Sequence, residues 1–413
     1  MTHPPDALLI ATMDTKGREA LFISTCLKHA GISVRIMDAG IRGKSPAPVD
    51  ISRTEVARAG GRSLAEVQSI GHEGKALEIM INGAIRCAQE LYRQNKIQGL
   101  ISLGGSMGTT LGTGVMRTFP VGVPKVMIST MASRDTRTFV GTRDILMLHS
   151  VCDLSGLNRL TQKILRNGAM ALAGMLQPAP EMEDSVGKPL VFISTLGTTE
   201  ACAQQIRRAL EEKGNEVVIF HTVGSGGKAM EEMIEQEEVS ALVDLSLHEV
   251  ADHLFGGDYN AGPDRGKAAL KKGVPTILVP GNIDFLVTGP LDNALRLFPD
   301  RPFHVHNAAI TVVRTTQEEI KILARTIAER CNEARGPISV LIPMAGFSAF
   351  DSQEGPLYDP EAPDLFVNTL QKNIDEHISL NLLPHHINDP EFGRAILEAF
   401  TRLPVCAGQE FSS

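Results

Sequence analysis

The chain contains 413 residues, of which 43% are hydrophobic and 21% charged, and its formal net charge is −8. This length and composition predict a water-soluble protein of about two or three domains. The negative net charge excludes the basic face that a nucleic-acid-binding protein needs. No apolar run reaches the roughly eighteen residues of a membrane span, and the amino terminus lacks the pattern of a signal peptide. The six cysteines form no Cys-x-x-Cys pair, so we expect reduced thiols and a cytoplasmic protein.

Strands and helices alternate along the first half of the chain. The hydrophobic pattern predicts strands at 7–12, 34–38, 99–103 and 125–129 and helices at 18–29 and 75–95. This alternation indicates right-handed β-α-β units and a parallel sheet. Residues 41–73, between the second strand and the second helix, are rich in Pro, Gly, Arg and Ser, which predicts a long irregular loop over the binding cleft or at a subunit contact, in preference to a plain linker.

The second half of the chain repeats the first. Ile10–Lys16 corresponds to Ile193–Thr199 at an offset of 183 residues. Gly74–Glu78 corresponds to Gly227–Glu231 at an offset of 153, so the first half carries an insert of about thirty residues. The duplication predicts an α/β fold of two Rossmann-like units, each a parallel sheet with helices on both faces, with a cleft for a small molecule between them.

A Pro-rich stretch at 177–181 is the clearest linker in the sequence. It divides the chain into an amino-terminal unit, residues 1–180, and a carboxyl-terminal unit, residues 181–413. After residue 336 the repeat ends, and a strand–helix extension continues to about residue 400. The pattern leaves open which of the two sheets this extension joins.

A glycine-rich segment follows the third predicted strand and opens a helix. Glycines let a backbone approach an anion closely, helix-start N–H groups point at it, and hydroxyls add donors. The segment therefore predicts a phosphate or carboxylate cradle, although it also matches the Gly-x-Ser-x-Gly elbow of serine hydrolases, with Ser106 as nucleophile, or a plain tight turn. The candidate ligand-binding residues are Gly104, Gly105, Ser106, Gly108, Thr109 and Thr110.

Two further loops of the first unit carry charged and hydroxyl groups near predicted strand ends. Asp14 or Thr15 suits the cap of a helix, whereas the charge of Lys16 is unfavourable at a helix amino terminus, which makes Lys16 the better ligand candidate. Thr142 and Arg143 follow the fourth strand and suit a phosphate or carboxylate, with a solvated loop as the alternative.

The second unit has ionisable groups where the first has its glycine loop. His248 and Glu249 follow the corresponding strand and are candidates for acid–base chemistry, with a hydrogen-bonded surface or capping role as the alternative for the histidine. His248 and His253 are five residues apart, so they do not share a helix face as a zinc motif requires, and we predict no metal site built from protein ligands. The turn at 224–229 is a second candidate anion site.

Seven segments together resemble the ATP-binding domain family related to the tomato mosaic virus resistance protein, namely 12–17, 104–109, 141–145, 153–158, 255–257, 279–284 and 386–390. The resemblance implies two Rossmann-like subdomains with ATP between them, and it adds Asp14, Gly256 and Gly257 to the residues expected near the ligand. It also implies self-association, most simply as a dimer, and a TIM-barrel partner. In plant relatives the barrel follows on the same chain, so here we expect it to be a separate protein.

The sequence thus predicts an ATP-dependent enzyme or enzyme subunit. The phosphates lie on the glycine loop, Lys16 and Arg143 neutralise their charge, and Mg²⁺ bridges phosphate oxygens. His248 and Glu249 face the ligand across the cleft as acid–base groups. The alternatives are a non-catalytic module that uses ATP to recruit a partner, and a serine hydrolase using Ser106.

Overall fold

The computed structural model describes residues 6–177 and 187–403. The chain divides into residues 1–182, here called unit 1, and residues 183–413, here called unit 2. The predicted boundary between 180 and 181, and all of the predicted linker except Gln177, lie outside the described residues. Within the described ranges, no helix combines the length and apolar character needed to cross a bilayer.

Unit 1 is built on a five-stranded, wholly parallel sheet. The strands are β1 (Asp6–Ala11), β2 (Ser33–Asp38), β3 (Gly99–Gly104), β4 (Lys125–Ser129) and β5 (Leu146–His149). Their order is β2-β1-β3-β4-β5, so the chain moves one way from β1 to β2 and the other way from β3 onward. The carboxyl ends of β1 and β3 therefore form the switch point at which doubly wound sheets bind ligands.

Helices cover both faces of this sheet, as predicted. They are α1 (Met13–His29), α2 (Arg53–Ala59), α3 (Leu64–Ser69), α4 (Glu73–Arg93), α5 (Ser106–Met116), α6 (Arg137–Val140) and α7 (Arg159–Met175). Side chains of α1 and α7 pack on one face of the sheet, and those of α4 and α5 pack on the other. The sequence pattern missed β5, because this edge strand is short and none of its four residues is fully buried.

The prediction of an irregular loop over residues 41–73 was wrong. The segment carries α2 and α3, each begun by a capping box in which a serine and a glutamate three residues later exchange hydrogen bonds: Ser52 with Glu55, and Ser63 with Glu66. Val56 and Val67 are fully buried. The Ser-x-x-Glu pattern was readable in the sequence, but the surrounding Gly and Pro residues outweighed it.

Unit 2 contains a six-stranded parallel sheet that repeats the first. Its strands are β6 (Leu190–Thr195), β7 (Glu216–His221), β8 (Ala241–Asp244), β9 (Thr276–Leu278), β13 (Ile338–Pro343) and β14 (Ser379–Leu383). The order β7-β6-β8-β9 matches β2-β1-β3-β4 of unit 1, which confirms the internal duplication at the level of topology. The carboxyl-terminal strands β13 and β14 extend the sheet of unit 2 beyond β9.

Helices again lie on both faces of the unit 2 sheet. They are α8 (Glu200–Glu212), α9 (Ser225–Gln236), α10 (His248–Phe255), α11 (Ala268–Lys272), α12 (Leu291–Leu297), α13 (Gln317–Asn332), α14 (Ala362–Leu370) and α15 (Pro390–Arg402). A small antiparallel sheet in the order β10-β12-β11 was not predicted; its strands are β10 (Phe285–Val287), β11 (Phe303–Asn307) and β12 (Ile310–Arg314). Most of β11 is exposed, so its side chains do not show the apolar alternation on which strand prediction depends.

Candidate functional site

A pocket of about 400 Å³ opens at the switch point of unit 1, where β1 and β3 end. One wall is formed by the turn after β1 and by the loop at the end of β3, residues 12–16 and 104–108. The other wall is formed by residues between 39 and 77. Its volume and its position at the carboxyl ends of parallel strands are those of a small-molecule site.

The glycine loop supplies the polar part of the pocket. Gly105 is the N-cap of α5 and provides no side-chain cap, so the first N–H groups of this helix have no intrahelical or capping acceptor. A Cβ on Gly104 would lie 2.8 Å from the Cα of Gly108, so the loop can close this tightly only with glycine at position 104. The structure therefore places Gly104, Gly105, Ser106 and Gly108 around the pocket, where uncapped helix-start N–H groups have the arrangement that favours an anion.

The two threonines of the loop do not face a ligand. The Thr109 hydroxyl donates to the carbonyl of Gly105 (2.7 Å) and contacts Ser129 Oγ, and Thr109 is fully buried. The Thr110 hydroxyl donates to the carbonyl of Ser106 (2.9 Å). In both cases the hydroxyl donates to the carbonyl four residues earlier in the helix, a bond that Ser and Thr commonly make. The cradle therefore has fewer hydroxyl donors than the sequence predicted.

The turn after β1 lies in the same pocket, with different roles for its residues. Helix α1 begins at Met13, with a kink at Lys16, and not at residue 18 as predicted. Lys16 lines the pocket, and its ammonium donates to the carbonyl of Leu154 (2.5 Å). Asp14 does not cap the helix: its Oδ2 accepts N–H groups of Arg42 and Gly43, at 3.2 and 3.0 Å. Asp14 thus joins the first turn of α1 to the backbone of Arg42 and Gly43.

Residues 41–73 were expected over a binding cleft or at a subunit contact, but none of the side chains that form the second wall of this pocket was identified from the sequence. We call residues 41–77 the rim; its pocket-facing members include aliphatic side chains and the exposed ion pair of Arg42 with Glu73, at 3.7 Å. Motif searching detects glycines and charged groups, whereas an aliphatic wall resembles any other part of the core in the sequence. Only the packing of α3 and α4 brings these residues to the pocket.

Thr142 and Arg143 lie elsewhere in unit 1 and do not line the pocket. Arg143 donates through Nε to the carbonyl of Arg117 and through Nη1 to Thr142 Oγ1. The neighbouring Asp144 pairs with the fully buried ammonium of Lys125 at 2.8 Å. These contacts hold the segment between α6 and β5 in place, which is a structural role.

In unit 2 the glycine turn before α9 already binds an anion, and the anion is Glu249. Its Oε1 accepts the N–H groups of Gly224 (2.6 Å) and Gly227 (3.1 Å), and its Oε2 accepts from Arg265 Nε (2.7 Å). Burial raises the pKa of Glu249 against the opposing effect of Arg265. The side chain has no exposed surface, so it anchors α9, and its position does not support the predicted acid–base role.

His248 is equally enclosed. Its Nδ1 lies 3.2 Å from Ser246 Oγ, its ring stacks on Phe285, and it has no exposed surface. Burial, followed by the charges of Arg265 and His221, lowers the pKa of His248 to about 3. The imidazole is therefore neutral at physiological pH and packs in the unit 2 core, and this position does not support the predicted acid–base role.

Gly256 and Gly257 end helix α10. Gly256 is left-handed with φ +83°, and both glycine N–H groups donate to the carbonyl of Asp252. A Cβ on Gly257 would lie 2.1 Å from Asp252 Oδ1. Both glycines are thus required by the turn itself.

In the described residues no three His, Cys, Asp or Glu side chains come together as a metal site.

Two buried carboxylates of unit 2 share one arginine. Arg314 Nη1 lies 3.0 Å from Asp351 and 3.7 Å from Asp284, and neither carboxylate has exposed side-chain surface. Burial, and then repulsion by Asp284, raises the pKa of Asp351 to about 7. The folded unit therefore holds a proton that the unfolded chain releases near pH 4.

Titration of Asp351 should consequently lower the stability of unit 2 as the pH rises from about 4 to about 7, with a slope of up to about 1.4 kcal/mol per pH unit, and should contribute little above that range. In Asp351→Asn we expect the slope to become smaller by this contribution, whatever the absolute stability, because Asp284, Glu231 and Glu249, whose pKa values burial also raises, are still present. Urea midpoints between pH 5 and 8 measure it, with Asp364→Asn on the exposed side of α14 as the control. An unchanged slope in Asp351→Asn would contradict the assignment.

Remote similarities to solved structures are found at low sequence identity. UDP-GlcNAc 2-epimerase from Neisseria meningitidis bound to UDP-GlcNAc matches 89% of this chain and 100% of that chain, with 10% identity and a TM-score of 0.23. A similarity at this level carries no information about a ligand of this chain.

Sequence relatives match nearly the whole chain. A UPF0261 protein of Clostridium tetani is 37% identical over 94% of this chain and 96% of its own length. ToMV resistance protein Tm-1(GCR237) of Solanum lycopersicum is 31% identical over 97% of this chain and 56% of its own length, in agreement with the resemblance in the sequence motifs. The family's amino-terminal domain model matches residues 5–181, and its carboxyl-terminal domain model matches residues 188–404. The chain therefore belongs to the uncharacterised protein family UPF0261.

Proposed function

We propose that unit 1 binds ATP, with its phosphates on the glycine loop of the switch-point pocket. The observation that carries this proposal is the amino terminus of α5, which has no side-chain cap and lines the pocket from Gly105 to Gly108. Backbone N–H groups and the positive end of the helix dipole favour a phosphate at this place. All the lining residues belong to unit 1.

The charges around the pocket favour ATP with a bound cation. Lys16 and Arg42 are offset by Asp14 and Glu73 among the lining residues, so the side chains contribute little net positive charge toward a triphosphate. Lys16 has three N–H donors, of which one reaches Leu154, and the others are available to a phosphate oxygen. Mg²⁺ bridging the phosphates would supply the missing positive charge.

Thermal unfolding in the presence of ATP, ADP, AMP and NAD, each with and without Mg²⁺, tests the proposal. ATP at about a hundred times its dissociation constant should stabilise the protein by roughly 2.7 kcal/mol. Gly105→Val should abolish this stabilisation, because the new side chain would occupy space at the cradle, and its Cβ would have only Thr130 Oγ1 nearby, at 3.8 Å.

The control is Gly197→Val in the turn after β6 of unit 2, which corresponds to the turn after β1 of unit 1, and where an added Cβ meets no atom within 4 Å. This variant should keep the full response to ATP. The absence of any nucleotide response in the native protein, or an unchanged response in Gly105→Val, would overturn the proposal.

An ATP-dependent enzyme and a non-catalytic, ATP-regulated binding module remain two forms of this proposal. Burial of His248 and Glu249 removes the support for acid–base catalysis by these two residues, which favours the binding form. Measurement of ADP production, alone and with a TIM-barrel protein as partner, separates the two forms. The predicted dimer is tested by the solution mass of the protein.

A serine hydrolase using Ser106 is the remaining candidate. Ser106 is exposed, opens α5 and lines the pocket. A serine nucleophile needs a base within hydrogen-bonding reach, and the lining residues of this pocket include no histidine. Covalent labelling by a fluorophosphonate that is lost in Ser106→Ala would support the hydrolase, and absence of labelling would exclude it.

A further inference from the structure

The two walls of the unit 1 pocket differ in chemistry. The glycine loop and α1 offer backbone N–H groups and the Lys16 ammonium. The rim offers aliphatic surface, chiefly from the half-buried Ile41 and Ile70, beside the polar side chains of Arg42, Gln68 and Glu73. A bare phosphate would use the first wall only, so the second wall calls for a ligand that also carries an apolar group.

The rim is held in its position before any ligand arrives. Asp14 accepts two of its backbone N–H groups, and the Gln68 side-chain amide donates to the carbonyl of Ile41 at 2.7 Å. Helix α2 lies so close to α4 that a Cβ on Gly83 would be 1.9 Å from the carbonyl oxygen of Val56. A wall fixed in this way costs little ordering entropy when a ligand binds.

The rim is also the part of unit 1 that the duplication does not explain. In unit 2, α9 begins at Ser225, four residues after β7 ends at His221, so there is no room for a corresponding segment. The glycine turn there holds Glu249 in place of an external anion. Among the described residues, unit 2 thus has no segment corresponding to the aliphatic wall, and its glycine turn before α9 is already occupied by a carboxylate.

We infer that the rim is a base-binding wall, which packs against the flat ring of a nucleobase while the glycine loop holds the phosphates. The inference rests on the proposed function and adds a statement about ligand specificity. The rim makes the pocket bind a nucleotide in preference to an inorganic polyphosphate. Ile70 and Ile41 carry this preference, because both are half-buried side chains that line the pocket. Burial of an aromatic base against them removes apolar surface from water on both partners.

Titration calorimetry with ATP and with inorganic tripolyphosphate, both with Mg²⁺, tests this inference. The native protein should bind ATP at least about tenfold more tightly than tripolyphosphate. Ile70→Asn should weaken ATP binding by roughly five- to tenfold and leave tripolyphosphate binding unchanged. Gly105→Val should weaken both. Ile51→Asn is the matched control, since Ile51 is a half-buried isoleucine of the rim that packs on the same core without lining the pocket.

The possible outcomes distinguish failure of the base-binding wall from failure of the proposal that unit 1 binds ATP. Equal affinity of the native protein for the two ligands, or an equal loss for both in Ile70→Asn, would overturn the base-binding wall and leave phosphate binding intact. A loss in Ile51→Asn as large as that in Ile70→Asn would also overturn it, because the effect would then come from weakened packing. Failure of the native protein to bind either ligand would overturn both proposals.

Discussion

Replacement of Arg265 by leucine is expected to destabilise unit 2 by about 3–5 kcal/mol, because it leaves three buried carboxylates without their shared cation. Arg265 has no exposed surface and pairs with Asp244 (2.6 Å), Glu249 (2.7 Å) and Glu231 (3.3 Å). Burial disfavours the charged guanidinium, but the three carboxylates outweigh this effect and raise the pKa of Arg265 well above its usual value.

Hydrogen exchange read from individual peptides is the appropriate measurement, since a chain of two units does not guarantee a single unfolding transition. Peptides from β6, β8 and α10 should exchange faster in Arg265→Leu, while those of unit 1 provide an internal reference. The loss should become smaller as the pH falls, because protonation neutralises the stranded Glu231 and Glu249, whose pKa values are raised by burial in the folded state.

Arg325→Leu is the control, since Arg325 forms an exposed pair with Glu318 at 3.6 Å. We expect this variant to change stability by less than about 1 kcal/mol. If the unit 2 peptides of Arg265→Leu exchanged at the native rate, the three carboxylates would not need the arginine for the stability of unit 2.

Gly227→Ala should cost unit 2 about 2–3 kcal/mol, although alanine is the better helix former. The added Cβ would lie 1.8 Å from Glu249 Oε2 and 2.7 Å from Arg265 Nε, in a place without room for it. The carboxylate must therefore move away, and its charge-assisted bonds to the first turn of α9 would be lost or lengthened. Urea unfolding followed by circular dichroism measures the change.

The comparison is Gly174→Ala in α7, where an added Cβ meets no atom within 4 Å. That substitution should leave stability unchanged or raise it by up to about 1 kcal/mol, as expected from helix propensity alone. If the two variants behaved alike, the Glu249 carboxylate would not be tightly held by the turn.

The β-α-β pattern was predictable because fully buried parallel strands are continuous apolar runs. All residues of β1, β3 and β4 are buried, and each of these strands was predicted within one residue of its observed ends. Among the strands that were missed, β5 and β10 are short and β11 is mostly exposed; β12 is buried at four of its five positions, and this explanation does not apply to it. The duplication also followed from the sequence, because equal spacing of strands and turns is visible without coordinates.

The roles of individual polar residues were much less predictable. Asp14 and Glu249 were read as ligand-facing groups, but each accepts backbone N–H groups of a segment more than twenty residues away in the chain. A carboxylate near a glycine turn has the same local sequence whether its acceptor sites face a ligand or the protein. The partner that occupies them is a property of the packing.

By itself, the sequence determined the α/β class, the two duplicated units and the glycine loop at the end of β3, since these depend on local periodicity and on glycines needed for local turns. The tertiary structure alone decided that unit 1 has an open helix terminus facing a pocket, whereas the glycine turn of unit 2 is closed by its own carboxylate. The physical reason is that an anion site is defined by what approaches it, and the rim and Glu249 approach from distant parts of the chain.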